Sequence, residues 1–314
     1  MNSKVDCLIL GDVFLDFNMR VNIPSIGKGG ISYCDQVKHT YGGSGTIAAA
    51  LSLLGISSYF VGKAGKDRYR KLYQQTLEKN NVKTRIFCDN YLPTGVLVSI
   101  IDNNAERSFL VARGANDKLT ADEIKDVIDG IHFDFIYLTG YSLVNSPQRD
   151  AILYAIRNAH DRGAKVFFDP GAFNTITLSR NYFKKVSELS NIISANLKEA
   201  KTLAQTHNTG DAVQILSEKV PLLIIRLGEE GCIVSSNEYK IKVPAPNVKA
   251  IDSTGAGDAF NAAFISGIIK KWSLNDIANF ANWFAAKTTE QIGARSFPFK
   301  SEIIKVTKSF KREL

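Results

Sequence analysis

Residues 252–260 read Asp-Ser-Thr-Gly-Ala-Gly-Asp-Ala-Phe, and a helical pattern follows, with Phe260, Phe264 and Ile268 on one spacing beside Ala259 and Ala263. A glycine-rich turn therefore feeds a helix N-terminus. The first amides of a helix lack internal partners and carry partial positive charge. The small residues Gly255, Ala256 and Gly257 let a phosphate approach those amides closely. Asp258 falls in the first turn, beside the place an anion would take. A carboxylate next to a polyphosphate is ill suited to binding it. It is well suited to orienting an incoming hydroxyl and accepting its proton. Phosphoryl transfer needs that positioning, plus charge stabilisation of the equatorial oxygens. The plainer alternative is that Asp258 only complements the helix dipole and the glycines only make a turn.

Other polar residues gain weight from where they stand. Short apolar runs end in Gly, Asp or Asn at Cys7–Gly11, Phe135–Gly140, Val166–Asp169, Ile192–Asn196 and Leu222–Gly228. Continuous apolar runs of this length fit strands buried on both faces. Helical spacing falls between or beside them at Thr46–Leu54, Asp67–Lys79, Thr120–Asp129, Gln148–His160, Leu197–Gln205 and Asp211–Glu218. The alternation predicts an α/β fold, a Rossmann-like, mostly parallel sheet with helices on both faces. Ligands bind at the carboxyl ends of such strands, so the run ends are candidate site positions. Two regions break the alternation. Phe17–Thr40 has strand-like stretches without helical period, and Gly95–Ala112 reads as a hairpin turning at Asp102–Glu106. They predict a small β-sheet lid, the alternative being an extra edge of the main sheet. No linker or repeat divides the chain, so 1–314 reads as a single domain carrying that lid.

The composition is that of a globular protein, with 45% hydrophobic and 22% charged residues and a formal net charge of +8. Basic residues are not clustered or interleaved with aromatics, which argues against nucleic acid as partner. No apolar run has the length of a membrane span and no signal peptide is read at Met1–Asp12. Cys7, Cys34, Cys88 and Cys232 have neither zinc-ligand nor redox spacing, which fits a reducing, cytoplasmic setting. No Gly-x-Gly-x-x-Gly follows the first strand, which sets dinucleotide oxidoreduction aside.

The segment Asp252–Phe260 resembles the C-terminal signature of the ribokinase-like carbohydrate kinases, the phosphofructokinase B family. The resemblance continues through nearly the whole chain in the family's order. Gly11-Asp12 with Asp16 looks like its sugar-contacting opening, and Tyr41-Gly42-Gly43-Ser44-Gly45 like its Gly-Gly signature. Gly62, Gly65 and Asp67 form the next block; Thr94-Gly95, Glu106-Arg107 and Gly114-Ala115-Asn116 follow the lid pattern. Asn196 and Glu199 match an Asn-x-x-Glu, Gly228 and Gly231 the nucleotide-side glycines, and Gly293-Ala294 a C-terminal pair.

The resemblance implies ATP as phosphoryl donor and a sugar or sugar acid as acceptor; the alternatives are a nucleoside kinase of the same family and a non-catalytic sugar- or nucleotide-binding protein. It implies that Gly255, Ala256 and Gly257 form the anion hole, that Asp258 activates the acceptor hydroxyl, and that Thr254 belongs to the nucleotide side of the same turn. Asp12, Asp16, Gly42 and Gly43 would hold the acceptor, and ionised carboxylates accept sugar hydroxyls strongly. Asn196 and Glu199 would act around Mg²⁺ and the phosphates; their spacing at a helix start puts them on one face. The alternative for this pair is an N-cap with its capping-box partner. Gly228, Gly231 and Asn282 would border the nucleotide, and Asp252 stands where some members keep a monovalent cation. A homodimer through the lid is a family arrangement.

The match departs at two polar contacts. Ile47 stands where the family's helix usually carries an Asn, and Phe14 where ribokinases proper carry another. Ile cannot hydrogen-bond through its side chain. These changes point away from a plain ribokinase, toward an acceptor with an apolar face, such as a nucleoside, or a different sugar pose. Arg70 replaces a common Gly at a position expected on the surface. Lys28, Lys38, His39, Arg107 and Arg113 fall in or beside the lid; Arg113 is the candidate for reading a carboxylate or phosphate, against a solvated edge for the rest.

Overall fold

The apolar run opening the chain builds the centre of the structure, a computed structural model that describes residues 3–21, 28, 30–101, 107–171, 173–236, 239–308 and 310. In chain order the strands are β1 (Ser3–Leu10), β2 (Val13–Val21), β3 (Cys34–Gly43), β4 (Ser58–Gly65), β5 (Lys83–Asp89), β6 (Gly95–Ile101), β7 (Arg107–Ala112), β8 (Ile131–Thr139), β9 (Lys165–Asp169), β10 (Ile192–Asn196), β11 (Leu222–Arg226), β12 (Cys232–Ser236) and β13 (Lys240–Val243). Nine of them form one sheet in the order β13-β12-β11-β10-β9-β8-β1-β4-β5. Pairing is parallel from β5 through β11 and antiparallel at β12 and β13.

Alternation along β1 explains why the sheet is covered on both faces. Cys7 and Ile9 enter one apolar cluster, Leu8 and Leu10 the other. The first cluster takes the helices Gly45–Leu53, Arg68–Lys79, Ala256–Ile269 and Leu274–Thr288; the second takes Ala121–Gly130, Gln148–Asp161, Leu197–Ala204 and Thr209–Ser217. Gly45–Leu53 and Ala256–Ile269 are apolar nearly all round and pack on each other, as a helix without a solvent face must. Their N-termini thus come to adjoining places, carrying the Gly-Gly and Gly-Ala-Gly turns with them.

A second sheet has the order β3-β2-β6-β7. It is the expected lid, with wider bounds than Phe17–Thr40 and Gly95–Ala112, because pairing begins at Val13↔Gly43. Asp16, Gly42 and Gly43 therefore ride on the small sheet. The hairpin pairs Val96↔Ala112 to Ile101↔Arg107, and its expected turn at Asp102–Glu106 lies outside the described residues. Strands β4, β5, β12 and β13 were not among the apolar runs. The β5 segment alternates half-buried and exposed positions at the sheet edge, and so shows no continuous apolar run. Among the described residues no helix is long and apolar enough to cross a membrane.

Candidate active site

The chain leaves β1 toward β4 and β5 on one side and returns to β8 on the other, so strand order reverses at β1. Ligands favour the crevice at such a reversal. Asp12 sits there, 2% exposed. The Arg113 guanidinium donates to it twice, Nη1 to Oδ2 and Nη2 to Oδ1, both at 3.0 Å. Gln148 Nε2 donates to Asp12 Oδ1 at 2.7 Å and accepts from Arg113 at its own Oε1. Arg113 also pairs with Asp117. Four of its five N–H donors are thereby engaged within the protein. Asn116 fixes the crossing into β2, accepting from the Val13 amide at 2.8 Å and donating to the Val13 carbonyl at 3.0 Å. Asp67 caps its helix and receives the Thr94 amide at 2.8 Å, tying β6 to the main sheet.

The acceptor-side candidates converge above this point. Asp16 is 7% exposed and its Oδ1 has no hydrogen-bond partner. Burial pushes the Asp16 carboxyl up to about 7, with Arg295 pulling the other way. A Cβ on Gly42 would lie 1.8 Å from Asp16 Oδ2, so a side chain there would push the Asp16 carboxyl out of place. Tyr73 fastens the Gly-Gly turn, donating to the Gly42 carbonyl at 2.8 Å and accepting from the Gly45 amide at 3.0 Å. Gly43 has φ 67° at the end of β3.

The Gly-rich turn is built as the sequence suggested. Gly255 holds φ 79°, and a Cβ there would lie 2.3 Å from the Ala294 carbonyl oxygen. Asp252 braces the turn, accepting from the Thr254 amide at 2.9 Å and from the Gly293 amide at 2.8 Å. The helix starts at Ala256, with Asp258 in its first turn. Burial, and then the charge of Asp169, push the Asp258 carboxyl up to about 7, against Arg226 and Arg295. Asp16 adds a smaller upward push, so the two carboxylates share one electrostatic site.

Beneath Gly257 lies a buried polar network. The Arg226 guanidinium carbon would be 3.7 Å from a Cβ on Gly257. Arg226 donates to Asp169 at 2.9 Å and to Ser194 and Asn261 at 3.0 Å, and it reaches Glu199 at 3.5 Å. Asn261 in turn donates to Asp169 at 2.6 Å. A fixed cation thus stands under the turn where a transferring phosphoryl group would be held.

Beside Gly257 a cleft of ≈ 610 Å³ is lined by Asn196, Arg226, Gly228, Gly231, Gly257 and Asn282, with Pro246, Val248 and Phe260 as apolar wall. Asn282 donates to the Val243 carbonyl at 3.0 Å, which fixes its place on the wall. Thr254 is spent on Asp252 through its amide and hydroxyl. Asn196 caps the helix Leu197–Ala204 and forms the reciprocal box with Glu199. Glu199 is 2% exposed; its Oε2 accepts from the Asn196 amide and its Oε1 from Asn196 Nδ2. Burial and the neighbouring Asp169 raise the Glu199 carboxyl, against Arg226.

The remaining residues singled out in the sequence fall as follows. Lys28, Lys38 and His39 are exposed, with Lys38 donating to the Ile292 carbonyl at 2.9 Å. The side chain of Arg107 lies outside the described residues. Arg70 is half-buried rather than on the surface. Phe14 and Ile47 are packed into the interior at 5% and 0% exposure. Asp169 shows in the sequence only as a strand end, and Arg226, Asn261 and Arg295 carry no motif that marks them as site residues. An arginine closing an otherwise apolar strand, as in Leu222–Arg226, is the signal that could have found the network.

With this geometry in place, comparison with known proteins is direct. Residues 4–301 match the family described as pfkB family carbohydrate kinase. An uncharacterized sugar kinase of Archaeoglobus fulgidus is 29% identical over 78% of this chain and 96% of its own. The probable fructokinase-5 of Arabidopsis thaliana is 28% identical over 95% of this chain and 96% of its own. The crystal structure of an uncharacterized sugar kinase from Pyrococcus horikoshii in complex with ATP superposes with a TM-score of 0.80 at 27% identity, covering 95% of this chain and 97% of that one. A glycine-rich turn, an aspartate in the first turn of its helix and a nucleotide-sized cleft beside them are thus found in a chain that belongs to the pfkB family of carbohydrate kinases.

Proposed function

We propose that the protein transfers the γ-phosphoryl group of ATP to a hydroxyl of a sugar or sugar acid, with Asp258 as general base. The observation that carries this is the place of Asp258: first turn of Ala256–Ile269, between the Arg226–Asp169 network and the orphaned Asp16 Oδ1. The acceptor hydroxyl bonds to Asp258, which takes its proton as the new O–P bond forms. The bond from the γ-phosphorus to its bridging oxygen breaks, and ADP leaves.

The residues present fit the nucleotide. The amides at Gly255 and Gly257 receive the transferring group, with Arg226 beneath them adding a fixed positive charge, whereas the Ala256 amide already donates to the Ser253 carbonyl at 3.2 Å. Gly228, Gly231 and Asn282 border the cleft that takes the rest of the nucleotide. Magnesium, when bound, neutralises phosphate charge and keeps several waters. Asn196 lines the cleft, and Glu199, joined to it in the capping box, would help hold the ion through the lone pairs that box leaves over. Asp252 braces the Gly255 turn, and a monovalent cation near it would stiffen the same turn.

The small sheet closes over the acceptor, because it carries Asp16, Gly42 and Gly43 itself. Closure excludes water from the transferring group. The apolar residues Phe109, Leu110 and Val111 are exposed on β7, the edge of that sheet, which fits a homodimer through the lid. The four cysteines are free, consistent with a cytoplasmic setting.

The test is ADP release with ATP and Mg²⁺ across sugars, sugar acids, nucleosides and sugar phosphates, beside Asp258→Asn. Turnover with one class, lost about a hundredfold or more in the variant, is the expected result. Nucleoside turnover in place of sugar turnover would move the acceptor class. Turnover that survives in Asp258→Asn would remove Asp258 from the mechanism.

A further inference from the structure

Arg295 follows the Gly293-Ala294 pair that packs against Gly255. Its Nε, Nη1 and Nη2 are all buried, and among the described residues none has a hydrogen-bond partner. The guanidinium lies against the start of the helix Gly45–Leu53: a Cβ on Gly45 would be 3.0 Å from Nη2. Asp16, Asp258 and Tyr73 all feel its charge. A guanidinium carries five N–H donors, and leaving it dry and unpaired is costly. The fold maintains it nonetheless, at the acceptor side of the site.

Its counterpart is equally orphaned. Asp16 Oδ1 is buried without a donor, and no ion pair closes between Asp16 and Arg295. The group that satisfies an unpaired donor and an unpaired acceptor across a gap is one that both donates and accepts. A hydroxyl does this; a carboxylate or phosphate does not, and would set its charge against Asp16 and Asp258. The other arginine at this side, Arg113, is committed to Asp12, Asp117 and Gln148. At the start of that helix Ile47, apolar and fully buried, offers no side-chain donor.

We propose that Arg295 is a specificity-determining residue for a polyhydroxylated acceptor, donating to a hydroxyl that in turn donates to Asp16 Oδ1, while the charges of Asp16 and Asp258 disfavour an anionic acceptor. This rests on the kinase reading above and narrows its acceptor. The transferred hydroxyl is a different one, held by Asp258.

The experiment is calorimetric binding of neutral hexoses, pentoses and cyclitols, and of gluconate and fructose 6-phosphate, to the wild type, Arg295→Met and Arg295→Lys. The expected result is a neutral sugar whose Kd rises about tenfold or more in Arg295→Met and recovers in part in Arg295→Lys, with ATP affinity unchanged. A deoxy form of that sugar lacking the bridging hydroxyl binds the wild type and Arg295→Met alike. Thermal unfolding separates this from a structural role: a residue held for a ligand leaves the unliganded Tm equal or higher when replaced, whereas a residue serving the fold lowers it. Anionic ligands binding tightest, neutral binding indifferent to Arg295→Met, or no neutral sugar binding at all would each overturn the proposal. A fall in kcat with acceptor binding intact would overturn it too, assigning Arg295 to the phosphoryl group. ADP release by the wild type tests the kinase reading separately.

Discussion

Arg113 closes a two-pronged pair on Asp12, with both N–H···O distances at 3.0 Å and Asp12 only 2% exposed. Fork-to-fork geometry of this kind is strong and directional. It also means that each partner is needed to tolerate burial of the other. Arg113→Met leaves the Asp12 carboxylate uncompensated and is expected to cost about 3 kcal/mol of folding stability, read as a shift in the denaturation midpoint. Adding Asp12→Asn to that variant should recover part of the loss. A variant of normal stability with only a weaker acceptor KM would instead show that Arg113 reads the acceptor directly.

Asp258 is protonated below about 7 and ionised above it, because burial and Asp169 raise its carboxyl. Only the ionised form accepts a proton. The kcat/KM profile should therefore fall on the acid side of an apparent pKa near that value and level off above it. A profile flat from pH 5.5 to 8.5 would remove the base from that position.

Arg226 lowers the same carboxyl by its charge. Replacing it with Met should move the acid limb upward in pH and weaken nucleotide binding, since the cation beneath Gly257 is gone. Arg226→Lys keeps the charge and should hold the limb near its original place. An unmoved limb in Arg226→Met would disconnect the network from the base.

Asp16 has its folded pKa raised to about 7 from 3.8 by burial. A group raised in this way contributes stability that is complete below its unfolded pKa and lost as pH rises through the folded value. Asp16→Asn should thus make the unliganded protein more stable at pH 8.5, by on the order of 2 kcal/mol, with the difference closing toward pH 4. Melting curves across that range measure it, and an Asn variant less stable at pH 8.5 would contradict the assignment.

Gly255→Ala would push a methyl to within 2.3 Å of the Ala294 carbonyl oxygen at a φ of 79°. The turn must move or the segment at Ala294 must yield. A loss of about 1–3 kcal/mol and a fall in kcat larger than the change in acceptor KM are expected. Unchanged kcat would show that the turn does not shape the phosphoryl site.

The parallel sheet and the glycine-rich turn that enters a helix at Asp252–Phe260 are legible in the residues alone. The reason is local: runs such as Leu222–Arg226 are apolar because both faces of their strands are covered, and a Gly-rich turn entering a helix states its own backbone geometry. The edge strand β5 stayed hidden, because half-exposed positions weaken any apolar run. The pairings between distant segments emerge with the folded chain and not before. Whether Arg113 meets solvent, substrate or Asp12 depends on bringing together residues 101 positions apart. Arg226 and Asp169 meet only because β11 and β9 flank β10 in the same sheet. The orphaned donors of Arg295 show only once burial is known, since an arginine in a polar C-terminal stretch reads in one dimension as a surface charge.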